Sequence, residues 1–247
     1  MIDFGARFAW PMAGGTSFGE PAVKLFHPIL AGATLAERAV ACAGVFAAIA
    51  LTAAAGYVFP TNSPLVVAPI GASAVLVFVV PASPLAQPWP VVGGNVISAL
   101  VGLAVGWAVP DLTIAAALAV ALAIAIMSLT RSLHPPGGAV ALTAVLGGPA
   151  VMKWGLLFPF VPIGLCSLSL VALGVAFHGL TWRSYPHRPQ LAGVVASQAA
   201  APAMFSAPDI DEALAQMGES FDIAREDLDR LLQYAEVSAM RRQARSS

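Results

Sequence analysis

The sequence predicts an all-α fold: a polytopic membrane helix bundle of four full spans plus two short broken or re-entrant helices, arranged in two repeats and followed by a short cytoplasmic helical tail. Three observations carry this reading. Of 247 residues, 58% are hydrophobic and only 10% charged, against about 25% charged in an ordinary soluble domain. Between residues 39 and 180 the charged side chains are Asp111, Arg131 and Lys153, whereas residues 209–245 carry nine acidic and five basic ones. A Pro/Gly pattern also recurs between convincing apolar runs. The chain accordingly divides into a cytoplasmic N-terminal segment (1–38), a membrane domain (39–180), a linker (181–208) and a cytoplasmic helical tail (209–247).

The first twenty residues do not read as a cleaved signal peptide, because they include Asp3, Arg7 and Glu20 and lack an uninterrupted apolar run. A membrane helix needs about 20 apolar residues to cross roughly 30 Å of hydrocarbon. Residues 39–59, 91–109, 112–129 and 155–177 meet or approach that length. Residues 65–80 and 139–146 are apolar but short, and proline and glycine precede or open each of them. Four or six crossings result, both even, so both termini lie on one side. Arg7, Lys24 and Arg38 precede the first span and Arg183 and Arg188 follow the last. Such charges favour the cytoplasmic face, so both termini are expected on the cytoplasmic side of the cell membrane. Trp89, Trp107, Trp154, Trp182 and Tyr57 fall near span ends, where amphipathic rings prefer the headgroup layer. Pro81, Pro84, Pro88 and Pro90 keep their uncharged segment from forming a continuous helix. It reads as a rigid surface loop or the rim of a cavity. Cys42 and Cys166 sit in separate apolar runs and read as small packing residues.

The repeat emerges when Pro69-Ile70-Gly71-Ala72-Ser73-Ala74-Val75-Leu76 is laid over Pro135-Pro136-Gly137-Gly138-Ala139-Val140-Ala141-Leu142, where proline, the first glycine and leucine coincide. Each copy lies between two spans, so residues 39–109 and 112–177 form units of span, short segment, span. Transporters use such duplications, with interrupted segments meeting near the midplane. Three crossings per unit make the repeats inverted; re-entrant short segments make them parallel.

The most unusual stretch is Thr130-Arg131-Ser132-Leu133-His134-Pro135-Pro136-Gly137-Gly138. Its prolines pre-set the first helical turn and its glycines permit close approach. A helix start there would turn N–H groups and a partial positive charge toward Arg131 and His134, an arrangement suited to a small anion. Gly71, Ala72 and Ser73 occupy the matching place in the first unit. Asn95, which follows Gly93-Gly94, either contacts the solute or bonds a neighbouring helix, as Gly102 and Gly106 suit helix packing. The candidate binding set is therefore Arg131, His134, Gly71, Ala72, Ser73, Pro135, Pro136, Gly137, Gly138 and Asn95.

No Asp or Glu lies in a span, which tilts the solute toward an anion or neutral molecule. No Ser/His/Asp set, His-Glu metal motif, paired carboxylate or phosphate-cradling loop appears in the spans, so transport is preferred to catalysis, with no cofactor or metal. A net charge of -1 offers no basic surface for nucleic acid.

Ile70-Gly71-Ala72-Ser73-Ala74-Val75, Ser83-Pro84-Leu85-Ala86-Gln87-Pro88 and His134-Pro135-Pro136-Gly137-Gly138-Ala139, in that order, resemble the motifs of the HPP integral membrane family. The resemblance covers about residues 35–188, including Tyr185-Pro186. That family takes its name from the His-Pro-Pro triplet found here at 134–136. The resemblance implies a small multi-span, transporter-like protein, with some members linked to nitrite transport and no established catalytic residues. Members commonly have Arg where Trp89 stands and Phe where Ile70 stands, which leaves Arg131 as the main anion-attracting candidate.

In the tail, Ile210, Leu214, Met217 and Phe221 recur at helical spacing, as do Leu228, Leu231, Leu232, Ala235 and Ala239. Two short amphipathic helices follow from this. The tail resembles the segment preceding a pair of CBS nucleotide-binding modules in longer family members. The expected function is a transporter or channel for a small inorganic anion, nitrite being favoured by the resemblance; the alternative is a membrane sensor or scaffold coupled through the tail. Few helices to enclose a polar path, together with exposed tail stripes, predict a homo-oligomer, a dimer first.

Overall fold

The computed structural model describes residues 34–58, 66–181, 183–188, 205–217 and 221–246. Trp182 and most of the N-terminal segment and linker lie outside these. Among the described residues there are helices and turns and no strand. The membrane domain contains α1 (Leu35–Val58), α2 (Pro69–Val79), α3 (Asn95–Ala108), α4 (Leu112–Leu129), α5 (Pro136–Leu146), α6 (Pro149–Trp154) and α7 (Leu165–Leu180). The tail contributes α8 (Ala207–Met217) and α9 (Arg225–Ser246). Wide π-type turns over Pro90–Gly94 and Pro159–Gly164 lead into α3 and α7.

Among the described residues four helical segments are long and apolar enough to cross a bilayer: Leu35–Tyr57, Pro90–Ala108, Leu112–Leu129 and Pro159–Leu180. The first begins earlier than residue 39, because Glu37 and Arg38 are good helix formers and Glu37 suits a first turn. The last runs to Leu180 rather than stopping at 177. Asp111 caps α4 by accepting the Ile114 N–H at 2.8 Å. The other end of α4 closes as a Schellman turn, with Ser132 N–H on Met127 O at 2.8 Å and Arg131 N–H on Ser128 O at 3.3 Å. Arg131 takes the left-handed position usually held by glycine, at φ 53°.

Contacts between helix ends fix the direction of each pass. At one end, here the near end, Arg183 bonds Glu37 at 2.7 Å, Trp89 Nε1–H donates to Thr130 O at 3.1 Å, and Tyr185 O–H donates to Ala86 O at 2.9 Å. The start of α1, the loop before α3, the end of α4 and the end of α7 therefore share this end. The turn from α3 to α4 lies at the opposite, far end. The 11-residue α2 and α5 each cover about 16 Å, half of a 30 Å layer.

The two short helices occupy different halves. The end of α2 lies at the near end, where Val77 O is 2.8 Å from His178 Nε2 close to the end of α7. By contrast α5 runs beside and parallel to the deeper part of α3: Gly137 lies against Ser98, Ala141 against Gly102 and Val145 against Gly106. Thus α2 starts at mid-depth and runs to the near end, while α5 starts at mid-depth and runs to the far end, and the two touch. Directions alternate through α1, α2, α3, α4, α5 and α7, so each unit makes three passes and the repeats are inverted.

The register of the repeat is shifted by one residue from the sequence alignment. Ile70 N–H bonds Val67 O and Gly71 N–H bonds Ala68 O; Gly137 N–H bonds His134 O and Gly138 N–H bonds Pro135 O. Every residue number in the second pair is raised by 67, which matches Pro69 with Pro136, Gly71 with Gly138, Ala72 with Ala139 and Ala74 with Ala141. The reason is that Pro136, not Pro135, takes the first helical position, where a missing N–H costs nothing.

The third helices are exchanged between units. Helix α3 packs on α4 and α5, whereas α7 packs on α1 and α2. One core accordingly joins Val105 to Ala115, Ala119, Ala123, Met127 and Ala141. The other joins Ala48, Ile70, Ala74, Val77 and Phe78 to Ile163, Cys166 and Leu170. The alanines of α4 recur every fourth residue on its buried face, and Leu112, Ile114, Leu118, Leu122 and Ile124 face outward as a lipid-facing side would.

In the tail, Ser206 and Asp209 cap α8: the Asp209 carboxylate accepts the Ser206 N–H at 2.7 Å and its O–H at 2.5 Å. Those bonds hold the Asp209 carboxyl below its ordinary pKa. Ile210 is buried and Leu214 and Leu228 are half-buried, while Met217, Phe221 and Leu231 stay exposed.

Candidate functional site: a buried polar cluster where the short helices begin

Ser73 lies in the second turn of α2, Asn95 at the start of α3, His134 two residues before α5 and Ser167 in the first turn of α7. Four elements thus deliver one polar side chain each to one place, and all four residues are wholly buried. Ser73 Oγ is 2.8 Å from His134 Nε2. Asn95 Nδ2–H donates to Ser73 Oγ at 3.3 Å and to Ser167 Oγ at 3.0 Å. His134 Nδ1 is 2.8 Å from Leu85 O in the near-end loop.

The acceptor at Leu85 sets the tautomer. A carbonyl requires a proton on Nδ1, so in the neutral ring Nε2 is a bare acceptor and Ser73 O–H donates to it. The Ser73 oxygen then accepts from Asn95, consistent with the amide nitrogen facing it. Asn95 Oδ1 is left buried without a hydrogen-bond partner, a costly state for an amide oxygen.

Two features seat His134. Helix α4 ends in the Schellman turn, and residues 132–134 then descend without helical structure along the start of α3. Gly94 makes that approach fit: a Cβ there would meet Ser132 O at 2.5 Å and His134 Cβ at 2.8 Å. The loop carrying Leu85 is braced in turn. Gln87 Nε2–H donates to Pro81 O and Ser83 O, and Gln87 Oε1 accepts the His187 N–H. Burial raises the pKa of the Tyr185 phenol, which keeps its proton and its bond to Ala86. The tail grips the same loop: Ser83 O–H lies 2.8 and 2.9 Å from the two Asp222 carboxylate oxygens, and His187 Nε2 lies 2.7 Å from Asp227.

Of the residues expected at the site, Ser73, Asn95 and His134 are brought together. Pro136 and Gly137 are buried beside them, Gly137 against Ser98 and Met127. Gly71, Ala72 and Pro135 are exposed, and Gly138 is half-buried near Val120. Arg131 is exposed at the near end, at the head of the descending segment. The helix starts differ from expectation in one respect: the Gly71, Gly137 and Gly138 N–H groups are taken up by the tight turns that begin α2 and α5. What remains there is the field of the helix ends, not bare donors. Ser167, the Leu85 carbonyl and the Asp222 contact were not anticipated. A signal for Ser167 exists, since Gly94-Asn95 and Gly164-Leu165-Cys166-Ser167 both place a small polar residue after the glycine that precedes the third helix. Among the described residues no three His, Cys, Asp or Glu side chains come together as a metal-binding set.

Apolar spans, inverted repeats and a buried polar cluster between two half-length helices define a polytopic membrane protein of duplicated architecture. The family model for the HPP transmembrane region matches residues 31–186, and the chain belongs to that family. Two transmembrane proteins of Dictyostelium discoideum are similar: one is 43% identical over 122 residues, covering 47% of this chain and 42% of that protein. The other is 40% identical over 121 residues, covering 47% of this chain and 38% of its own length. The aligned region is thus less than half of each relative. No solved structure matches.

Proposed function

We propose that this protein carries a small inorganic anion across the cell membrane, with nitrite the favoured substrate, and that both termini face the cytoplasm. The observation behind this reading is the meeting of α2 and α5 at mid-depth by their N-terminal ends, each half the length of a span. Two positive helix ends directed at one place favour a negative solute, and the absence of acidic side chains between residues 39 and 110 and between 112 and 180 leaves that field unopposed. Arg131, exposed at the head of the descending segment, draws anions toward it. A transport role suits these groups better than catalysis: the Ser73–His134 pair has the contact of a nucleophile and its base, but a carbonyl stands where the orienting carboxylate of a triad would be.

Uptake into proteoliposomes holding only this protein tests the reading, using nitrite, nitrate, formate and chloride. Flux above empty vesicles is expected for nitrite at least; none for any of the four would refute transport. The positive-inside charge pattern supports the orientation, and the uncovered Met217, Phe221 and Leu231 support a homodimer joined in part through the tail. A second reading, a sensor coupled through the tail, draws on the Asp222–Ser83 contact with the loop that holds His134. Removing residues 205–247 leaves flux intact if the tail is only an assembly element and changes it if the tail governs the cluster.

A further inference from the structure

We infer that the Ser73–Asn95–His134 cluster is a proton site that loads together with the anion, so that the two move as a neutral pair. This rests on the reading of the protein as an anion carrier and adds the coupled ion to it. In the neutral state every bond runs one way: Asn95 amide to Ser73 oxygen, Ser73 hydroxyl to His134 Nε2, His134 Nδ1–H to Leu85 O. Within this cluster Asn95 Oδ1 is the side-chain atom left without a partner.

Binding one proton at Nε2 reverses the middle of this chain. The imidazolium Nε2–H donates to Ser73 Oγ, whose own hydrogen must then find another acceptor. Asn95 Oδ1 is that acceptor once the amide turns over, and the turn frees the Nδ2 hydrogens. The protonated cluster therefore presents a positive ring and unengaged N–H donors beside two helix starts. No bond to carbon forms or breaks; one proton from solvent is gained, and Nδ1 keeps its bond to Leu85.

Among the described residues the surroundings supply no counter-charge. Helices α2, α3, α5 and α7, the loop before α3 and the body of α4 carry no Asp, Glu, Lys or Arg, and the titratable side chains they add are Cys166 and His178. Arg131 stands at the exposed end of the descending segment, and Asp222 touches Ser83, two residues from Leu85. Either charge alone in such a place is costly to desolvate, whereas proton and anion together are neutral. Each then requires the other.

The test reads binding rather than flux. Nitrite is added to the purified full chain in weakly buffered detergent solution near pH 7, and proton uptake is followed with a pH indicator while bound nitrite is measured by equilibrium dialysis. Wild type is expected to take up about one proton per nitrite bound, with nitrite affinity rising about tenfold per pH unit of acidification, as reciprocal linkage requires. His134→Gln should abolish the uptake, and Ser73→Ala, a smaller change that keeps the ring, should reduce it. Both are compared only as monodisperse preparations. Nitrite bound without proton uptake, or uptake undiminished in both variants, overturns the proton site and leaves the carrier reading standing. No binding of nitrite, nitrate, formate or chloride overturns both.

Discussion

Arg131 shows how one residue can serve two ends. The left-handed conformation costs an L-residue roughly 1–2 kcal/mol, part of which glycine loses again through its freer unfolded chain. Arg131→Gly should therefore stabilise the protein by about 0.5–1 kcal/mol in detergent unfolding, yet lower nitrite flux, because the charge at the head of the descending segment is gone. Unchanged flux with raised stability would reduce Arg131 to an interfacial anchor. Gly94→Ala works in the opposite direction: its Cβ must displace the Ser132 carbonyl and His134, so His134 shifts and both flux and stability fall, by about 1–3 kcal/mol for stability. At this scale the sequence was informative where residue type is scarce. His134, Ser73 and Asn95 stand out as polar residues in apolar or Pro/Gly surroundings. Ser167 did not, since a serine in a membrane helix usually bonds its own backbone or a neighbouring helix, and its partner lies 72 residues away.

Among the elements, α3 and α5 meet in a close seam. A Cβ on Gly102 would lie 2.5 Å from Ala141 O and 2.7 Å from Ala144 Cβ, so Gly102→Val must push two helix backbones apart. A loss of about 2 kcal/mol or more is expected, read as earlier unfolding and poor recovery from membranes. Gly71→Leu is the control for simple bulk, because nothing lies within 4 Å of a Cβ there. It should insert and fold normally, and its flux then reports whether the exposed face of α2 borders the solute path. Lengths and apolar patterning made the four spans and both short helices readable. Helix ends were less so, since Glu37 and Arg38 are charged yet favour helix, and the choice between Pro135 and Pro136 as the first helical residue depends on hydrogen bonds that no pattern of residue types displays.

For the whole molecule, the inverted arrangement makes a direct prediction about sidedness. In a Cys42→Ala, Cys166→Ala background, single cysteines at Asp111 and Ser184 should react with an impermeant maleimide from opposite faces of the membrane. Labelling of both from one face would refute three passes per repeat. The sequence left four and six crossings open because helix length alone cannot distinguish a half-depth helix that continues the traverse from one that turns back. The contacts resolve it: α2 and α5 lie in opposite halves, each following the alternation of the full-length helices around it.

The exchange of third helices bears on how the protein is made. While the first half emerges from the ribosome, α1 and α2 have no α7 to cover Ile70, Ala74 and Val77, and α3 waits for α4 and α5. Neither bundle is complete until the other unit has been synthesised, so final compaction follows the end of translation of the membrane domain rather than proceeding helix by helix. A polypeptide ending at residue 109 should accordingly be unstable in the membrane when produced alone. Co-produced with residues 110–247, it should be rescued, each fragment supplying the helix that its counterpart lacks.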